Sequence, residues 1–433
     1  MRRETLTYEE KYLLNLLRQA LSGEDGTAAH ENGDCAAKQD HPEKGNDGSH
    51  RVGGDFVRSP DWNRLFLLAE RHSVLSLLYD VLTSGGNLPG EFQTRLEKTS
   101  RQIVLQNYHL LFLTGAVIQL LKENGIQSVC LKGAAVCGCY PVPELRKSGD
   151  VDLLLVNPEE IERAVSVLEK AGLVVSADQH SVHHVAMETR DQIEVEIHTM
   201  MAGPFDHKGF DRYLYPFTNP GGGQYEEKDV MGVTLPVLCG PVFAFQLLLH
   251  MLQHFLRSGF GIKLLCDWAV FWNGTDNEQT LNAYLKMARG SGLKRFSDYI
   301  TAVCVQYLGL KREKAALLIE GGGEPDTWPN EESVEAFLWE ILEAEEFGKS
   351  SGDRMVMVRG SGILAYLREF HHQMRLNHPK ASRAVILWPG LWAVTLFCFL
   401  YNNKKIRGIS TLKILKNAGK RGQMAEKLGL FRE

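Results

Sequence analysis

The sequence predicts an α+β protein: a small mixed β-sheet core near residues 125–238, flanked by helical regions on its N- and C-terminal sides. Three observations carry this reading. Apolar residues recur at three- and four-residue intervals over 8–21, 61–82 and 101–124, the spacing of a buried helical stripe. Between 128 and 198 the pattern changes to short apolar runs and period-two alternation bounded by turn residues, which is how strands are written. Beyond 239 a helical character returns.

The elements follow in order. Residues 1–21 read as an N-terminal helix, and 22–55 as a disordered linker, because Gly, Asp, Glu, Asn, His and Ala there cannot bury enough apolar surface to order a chain. Residues 56–124 form a helical N-terminal region that stops at Gly125. In the core, 128–131 reads as a short buried strand, 133–139 as the first turns of a helix, and 150–156 as the next strand. Asn157-Pro158-Glu159-Glu160 is a helix start: a capping side chain, a proline in the first turn, and acids near the positive end of the dipole. That helix is expected to reach Ala171 and stop at Gly172. Strands are expected at 173–176, 183–188 and 192–198, with 189–191 as the tight turn between the last two. Only one of His183 and His184 is expected to face the cleft. Gly221-Gly222-Gly223 reads as a flexible turn, and 239–433 as a helical C-terminal region.

Composition narrows the function classes. The net charge is −5, so there is no general basic field, and extended nucleic-acid binding is not favoured. The eight cysteines form no CxxC pair, and several sit in apolar runs, which is reduced, cytoplasmic usage. Cys137-Gly138-Cys139 has no partner pair elsewhere to make a metal or redox site. The N-terminus shows no apolar secretion core.

The chemistry concentrates in one stretch. Lys132-Gly133 is followed, after sixteen intervening residues, by Asp150-Val151-Asp152 leading into an apolar run. Two aspartates separated by one residue at the mouth of a strand point the same way, because strand side chains alternate faces. Two carboxylates aimed at one point can hold Mg²⁺, whose shell is completed by substrate phosphates. Downstream, Glu194, Glu196 and His198 alternate with Ile193, Val195 and Ile197, so one face is apolar and the other carries two carboxylates and an imidazole. Taken alone that strand is equally a solvated polar face; the order Lys-Gly, Asp-x-Asp, Glu-x-His across one β/α unit is far more specific. His250 and His254, one helical turn apart, suit a metal pair, a wall of a substrate cleft or ordinary packing. Met251 follows His250 where a zinc hydrolase would carry glutamate.

Leu131-Lys132-Gly133, Tyr140-Pro141, Arg146, Gly149-Asp150-Val151-Asp152-Leu153-Leu154 and Val195-Glu196-Ile197-His198 resemble the uncharacterised nucleotidyltransferase family of the DNA polymerase β-type superfold. Ala69-Glu70-Arg71-His72-Ser73-Val74 with Leu77-Leu78-Tyr79 is similar to the family's N-terminal helical signature. His250, His254 and Leu264-Leu265-Cys266-Asp267 are similar to its helical segment after the core. Where the wider superfold commonly has Gly-Ser at the phosphate turn, this chain has Lys132-Gly133-Ala134, the family's own variant.

The resemblance implies transfer of a nucleotidyl group from an NTP, such as ATP, to an unidentified hydroxyl acceptor. It implies Asp150, Asp152 and Glu196 as catalytic metal ligands, with two Mg²⁺ ions or Mn²⁺ in their place, and Glu196 orienting or deprotonating the acceptor. Gly133 would let backbone N–H groups approach phosphate at a helix N-terminus, with Lys132 adding a point charge. Arg146 would neutralise phosphate, or else pair with Glu144 or cap the loop. Glu194, His198, His250 and His254 would line the substrate cleft, although His198 reads equally as a strand-end histidine in solvent. Two other classes stay open: a catalytically decayed nucleotide-binding module, against which the intact acids argue, and a membrane-associated scaffold.

That last class rests on 384–401, an uncharged, mostly apolar run of eighteen residues with Arg383 before it and Lys404-Lys405 after it. Pro389-Gly390 is expected to split it, which suits a buried helix or peripheral membrane contact better than a span. Residues 413–432 read as a basic helix suited to an anionic surface or acidic partner.

Overall fold

A computed structural model describes residues 5–22, 58–180, 183–205, 208–218, 225–320, 328–345, 363–378, 380–401 and 411–430. The expected linker, apart from Ser22, and the Gly221–Gly223 turn lie outside the described residues. The N-terminal helices are α1 (Tyr8–Ser22), α2 (Trp62–Arg71), α3 (Tyr79–Ser84) and α4 (Gly90–Glu123). The core follows as β1 (Ser128–Cys130), α5 (Lys132–Cys137), β2 (Val151–Leu155), α6 (Ile161–Lys170), β3 (Val174–His180), β4 (His184–Glu188), β5 (Glu194–His198), α7 (Lys208–Thr218), β6 (Tyr225–Val230) and β7 (Val233–Leu238). The C-terminal helices are α8 (Gly240–Arg257), α9 (Ile262–Asn273), α10 (Glu278–Gly290), α11 (Lys294–Tyr307), α12 (Arg312–Glu320), α13 (Glu331–Ala344), α14 (Ile363–Asn377), α15 (Trp388–Tyr401) and α16 (Thr411–Lys427).

Local chemistry sets many of the boundaries. Asp61 caps α2 by accepting from the Arg64 amide at 3.1 Å. The stretch expected as one apolar pattern over 61–82 breaks after α2, where Ser73 turns to φ 56° before the chain resumes as a 3₁₀ turn and α3. Helix α4 begins eleven residues before the expected start, directly after Pro89, and ends where Gly125 takes φ 71°. Asn157 accepts from the Glu159 amide as expected, but a 3₁₀ turn over Pro158–Glu160 precedes α6 proper. The β6–β7 hairpin was not legible as strands: its turn puts Met231 and Gly232 at φ 52° and 85°, and methionine there is no turn signal.

The sheet is mixed, in the order β3-β4-β5-β2-β1-β7-β6. At its centre β1 runs antiparallel to β2 and β2 parallel to β5, with Asp152 opposite Glu196. Helix α4 packs along β1, β2 and β7. Among the described helices α4 alone is long and apolar enough to cross a membrane by length and composition, and its Leu96, Leu110, Leu111 and Leu121 lie in the core. The loop before β2 is clamped from α4. Asn107 donates to the carbonyls of Glu144 and Arg146 at 2.6 and 2.8 Å and accepts from the Ser148 amide at 3.1 Å. One apolar cluster runs from Leu6 to Leu430, through the sheet and the bundle of α8, α9 and α11. Helix α1 joins it from the far end of the chain, Arg18 donating to the Gln306 carbonyl at 2.6 Å.

Candidate active site

The site forms where the N-terminal end of β2, the kinked start of α5 and the outward face of β5 meet. At the exit of β1, Leu131 is extended, Lys132 turns to φ 28° and Gly133 sits at φ 7°, ψ −96°, so the chain bends sharply into α5. A non-glycine residue at positive φ costs about 1–3 kcal/mol and persists only where its surroundings hold it. Here the hold is electrostatic: Lys132 Nζ lies 2.8 Å from Asp152 Oδ1.

Asp152 is 3% exposed, and a charge that deep needs compensation. His198 Nε2 lies 2.9 Å from the same Asp152 oxygen and 3.0 Å from Glu196 Oε2. Because β2 and β5 are parallel and in register, Asp152 and Glu196 stand side by side, with His198 two residues further along the same face. His184 Nε2 approaches Glu196 Oε1 at 3.8 Å, and His183 Nε2 meets His184 Nδ1 at 3.1 Å. Both histidines therefore reach the cleft, contrary to the expectation of one. His183 lies just before β4, outside the strict alternation that would have turned it away.

The charges are interlocked. Burial works to raise the Asp152 pKa, but Lys132 and His198 hold it well below the carboxylate range. Burial works against the Lys132 ammonium, yet Asp152, Asp150 and Glu196 keep its pKa above normal. His198 is likewise lowered by burial but raised overall by its hydrogen bonds to Asp152 and Glu196. Asp150, one residue before β2, is raised first by Asp152 and then by burial, against Lys132. Glu194, half-buried on the same face, is raised by burial and then by Glu196.

This donor set fits a divalent cation. Asp152 Oδ2 and His198 Nδ1 are buried with no hydrogen-bond partner among the described residues, an expensive arrangement for a carboxylate oxygen unless something binds it. Asp152, Glu196 and His198 offer ligand atoms mutually within 4.8 Å, and so do His183, His184 and His198. Asp150 is not in either tight group, although Asp152 is the strongest influence on it.

Arg146 is a correction. Its guanidinium is buried and bidentate to Asp267 on α9, at 2.9 Å to Oδ1 and 2.7 Å to Oδ2, while Nη1 donates to Ser148 Oγ at 3.1 Å and to the Gly133 carbonyl at 3.4 Å. Tyr140 donates to the same carboxylate at 2.6 Å. With its donors committed, Arg146 ties the kinked turn to the helical bundle instead of facing phosphate. Asp267 was legible as a helix residue; a partner 121 residues away was not.

Across the cleft on α8, His250 and His254 meet Nε2 to Nε2 at 2.8 Å. Burial and the Lys132 charge both push them down, His250 well below normal and His254 to about 3. Lys263, buried on α9, also acts on Asp150 and on both histidines. Its signal in the sequence is a single charge inside the apolar run 260–266, which reads as packing without the structure.

A family model described as uncharacterised nucleotidyltransferase matches residues 58–309, more than half of the chain, and the chain belongs to that family. Among solved structures, an antigenic nucleotidyltransferase-like protein from Paracoccidioides brasiliensis is similar, at 14% identity over 47% of this chain and 93% of that one, with a TM-score of 0.28. No curated protein matches the chain.

Proposed function

We propose that the chain transfers a nucleotidyl group from a nucleoside triphosphate to a hydroxyl acceptor and releases pyrophosphate. The observation that carries this reading is the side-by-side register of Asp152 and Glu196, with a buried carboxylate oxygen left unpaired beside Lys132. Asp152 and Glu196 would hold the divalent cation, with Asp150 beside Asp152. When bound, such ions neutralise the triphosphate and stabilise the charge that builds on the leaving oxygen.

The chain's own residues supply the rest. The acceptor oxygen bonds to the α-phosphorus as the bond from that phosphorus to the bridging oxygen breaks, and the hydroxyl proton passes to the Glu196 carboxylate. Lys132, held within the cleft, contributes a fixed positive charge to the phosphates, and the bend at Gly133 leaves backbone N–H groups available to them. His198 positions Glu196 through its hydrogen bond. The neutral pair His250 and His254 faces the acceptor side, where an uncharged wall admits a hydroxyl without drawing a second anion.

Carboxylates alone suit Mg²⁺, whereas the imidazoles of His184 and His198 add nitrogen donors that strengthen binding of Mn²⁺ and later divalent ions relative to Mg²⁺. Activity is therefore expected with both ions, and at lower concentration with Mn²⁺.

The test presents the purified protein with each α-labelled NTP, Mg²⁺ or Mn²⁺, and a cell extract as acceptor source. Label transfer is expected, falling by about 10³-fold in Asp152→Asn and Glu196→Gln. Equal labelling by the unaltered protein and both variants would overturn the reading. Tight NTP binding without any transfer would instead favour the decayed module.

A further inference from the structure

We propose that the hairpin of α14 and α15 docks the protein onto an anionic membrane surface. The proposal is independent of nucleotidyl transfer. Of the two readings the sequence leaves for 384–401, a buried helix or a membrane-surface contact, burial does not hold, and the expected split at Pro389-Gly390 is absent: both fall in the first turn of α15, which then runs unbroken to Tyr401. Ile386 is 88% exposed and Phe397 68%, and Val385, Val394, Leu396 and Leu400 are exposed with them. Ile363, Leu364 and Leu367 on α14 extend the apolar surface. A helix with no charged face that is also unburied has no aqueous solution to its packing.

The hairpin is nonetheless held in place. Trp392 Nε1 donates to His371 Nδ1 at 3.1 Å, and the Trp388 ring packs edge-on against the same imidazole at 4.6 Å between centroids, so α15 is fixed to α14 by its own aromatic residues. Tyr366 on α14 donates to the Leu415 carbonyl of α16 at 3.1 Å, close beside Gly419. Helix α16 is bound to the bundle through buried Arg421, which pairs with Glu340 at 3.1 Å. The apolar face is thus presented on a scaffold.

Charge chooses the occupant. Residues 363–433 carry thirteen Lys and Arg against three Asp and Glu, whereas the whole chain carries 48 against 53. Segment 384–401 has no acid, and Lys404, Lys405 and Arg407 follow it directly. Apolar insertion framed by basic residues matches an anionic bilayer surface.

The experiment sediments the full chain with phosphatidylcholine vesicles containing phosphatidylglycerol and with phosphatidylcholine alone, at low and high salt. Binding is expected to the anionic vesicles and to weaken with salt. Ile386→Asp with Phe397→Asp is expected to lower vesicle affinity by roughly tenfold or more while the melting temperature holds. Lys404→Glu with Lys405→Glu is expected to weaken binding to anionic vesicles specifically, by about tenfold. No binding to either vesicle overturns the proposal, as does equal binding by the parent and both variants. A concentration-dependent dimer that dissolves in the Ile386→Asp, Phe397→Asp variant, without vesicle binding, overturns it in favour of a second copy of the chain.

Discussion

At the scale of single residues, two buried carboxylates with different partners divide the work. Asp152 shares one oxygen between Lys132 and His198, while its other oxygen has no hydrogen-bond partner among the described residues. Asp267 has both oxygens taken by Arg146 and one also by Tyr140, the state of a structural anchor. Their substitutions should therefore read differently. Asp267→Asn is expected to destabilise by about 3–5 kcal/mol, since breaking a buried pair strands the other charge; denaturant unfolding measures this, and a loss below about 1 kcal/mol would contradict it. Arg146→Lys should not rescue, because a point charge cannot reproduce the planar fork. Asp152→Asn also strands the buried Lys132 charge and is expected to cost stability too, but it additionally removes divalent-ion affinity, which calorimetric titration with Mn²⁺ reads directly. The sequence showed Asp152 and Glu196 as a pattern but said nothing of the pairing of Arg146 with Asp267, because a motif encodes local spacing and their contact spans 121 residues.

At the scale of elements, β5 was the most legible. Its apolar and polar residues alternate without interruption, so the face of Glu194, Glu196 and His198 followed from the two-residue repeat alone. The parallel pairing that sets Glu196 against Asp152 did not follow, since register between distant strands is decided by the whole sheet. Helix α8 carries a pH prediction. His250 and His254 share one close contact between ring nitrogens, and burial first, then Lys132, lowers both, His254 to about 3. His183 is lowered to about 3, chiefly by burial, and His184 is lowered by burial as well. A histidine depressed in the folded state binds its proton more readily when unfolded, so its stabilising contribution is full above about pH 6.5 and is lost as pH falls toward about 3. His198, raised by Asp152 and Glu196 against burial, opposes the trend, losing its contribution as pH rises through its folded value. Among the histidines, four against one, unfolding free energy is expected to fall between pH 7 and pH 5, by up to ~1.4 kcal/mol per pH unit for each of the buried His250 and His254, while the raised carboxyls of Asp150, Glu194 and Asp298 act in the opposite sense. His254→Gln should flatten the profile; a slope unchanged by that substitution would contradict the assignment.

At the scale of the whole molecule, helices from both ends of the chain close around a sheet in the middle. Helix α1 reaches the α9 and α11 bundle, and α16 returns to it through Arg421, whose guanidinium also donates to the carbonyls of Phe255 and Arg257 at the end of α8. Arg421→Ala is expected to release α16 and, with it, the α14–α15 hairpin, so limited proteolysis should cut after residue 345 much faster while the 58–309 core survives; cleavage at the parental rate would contradict that coupling. Helical periodicity made the presence of these helices predictable, but not their docking, because exposed and buried apolar faces look alike in a sequence. Segment 384–401 shows this most clearly. The central claim, that Asp152 and Glu196 form one cation site with the phosphates of an NTP, is tested most directly by anomalous diffraction from a crystal soaked with Mn²⁺ and a non-hydrolysable NTP analogue. A manganese peak bound by Asp152 Oδ2 and the Glu196 carboxylate, with the triphosphate beside Lys132, is the predicted result; a nucleotide seated elsewhere, or manganese absent from those carboxylates, would contradict it.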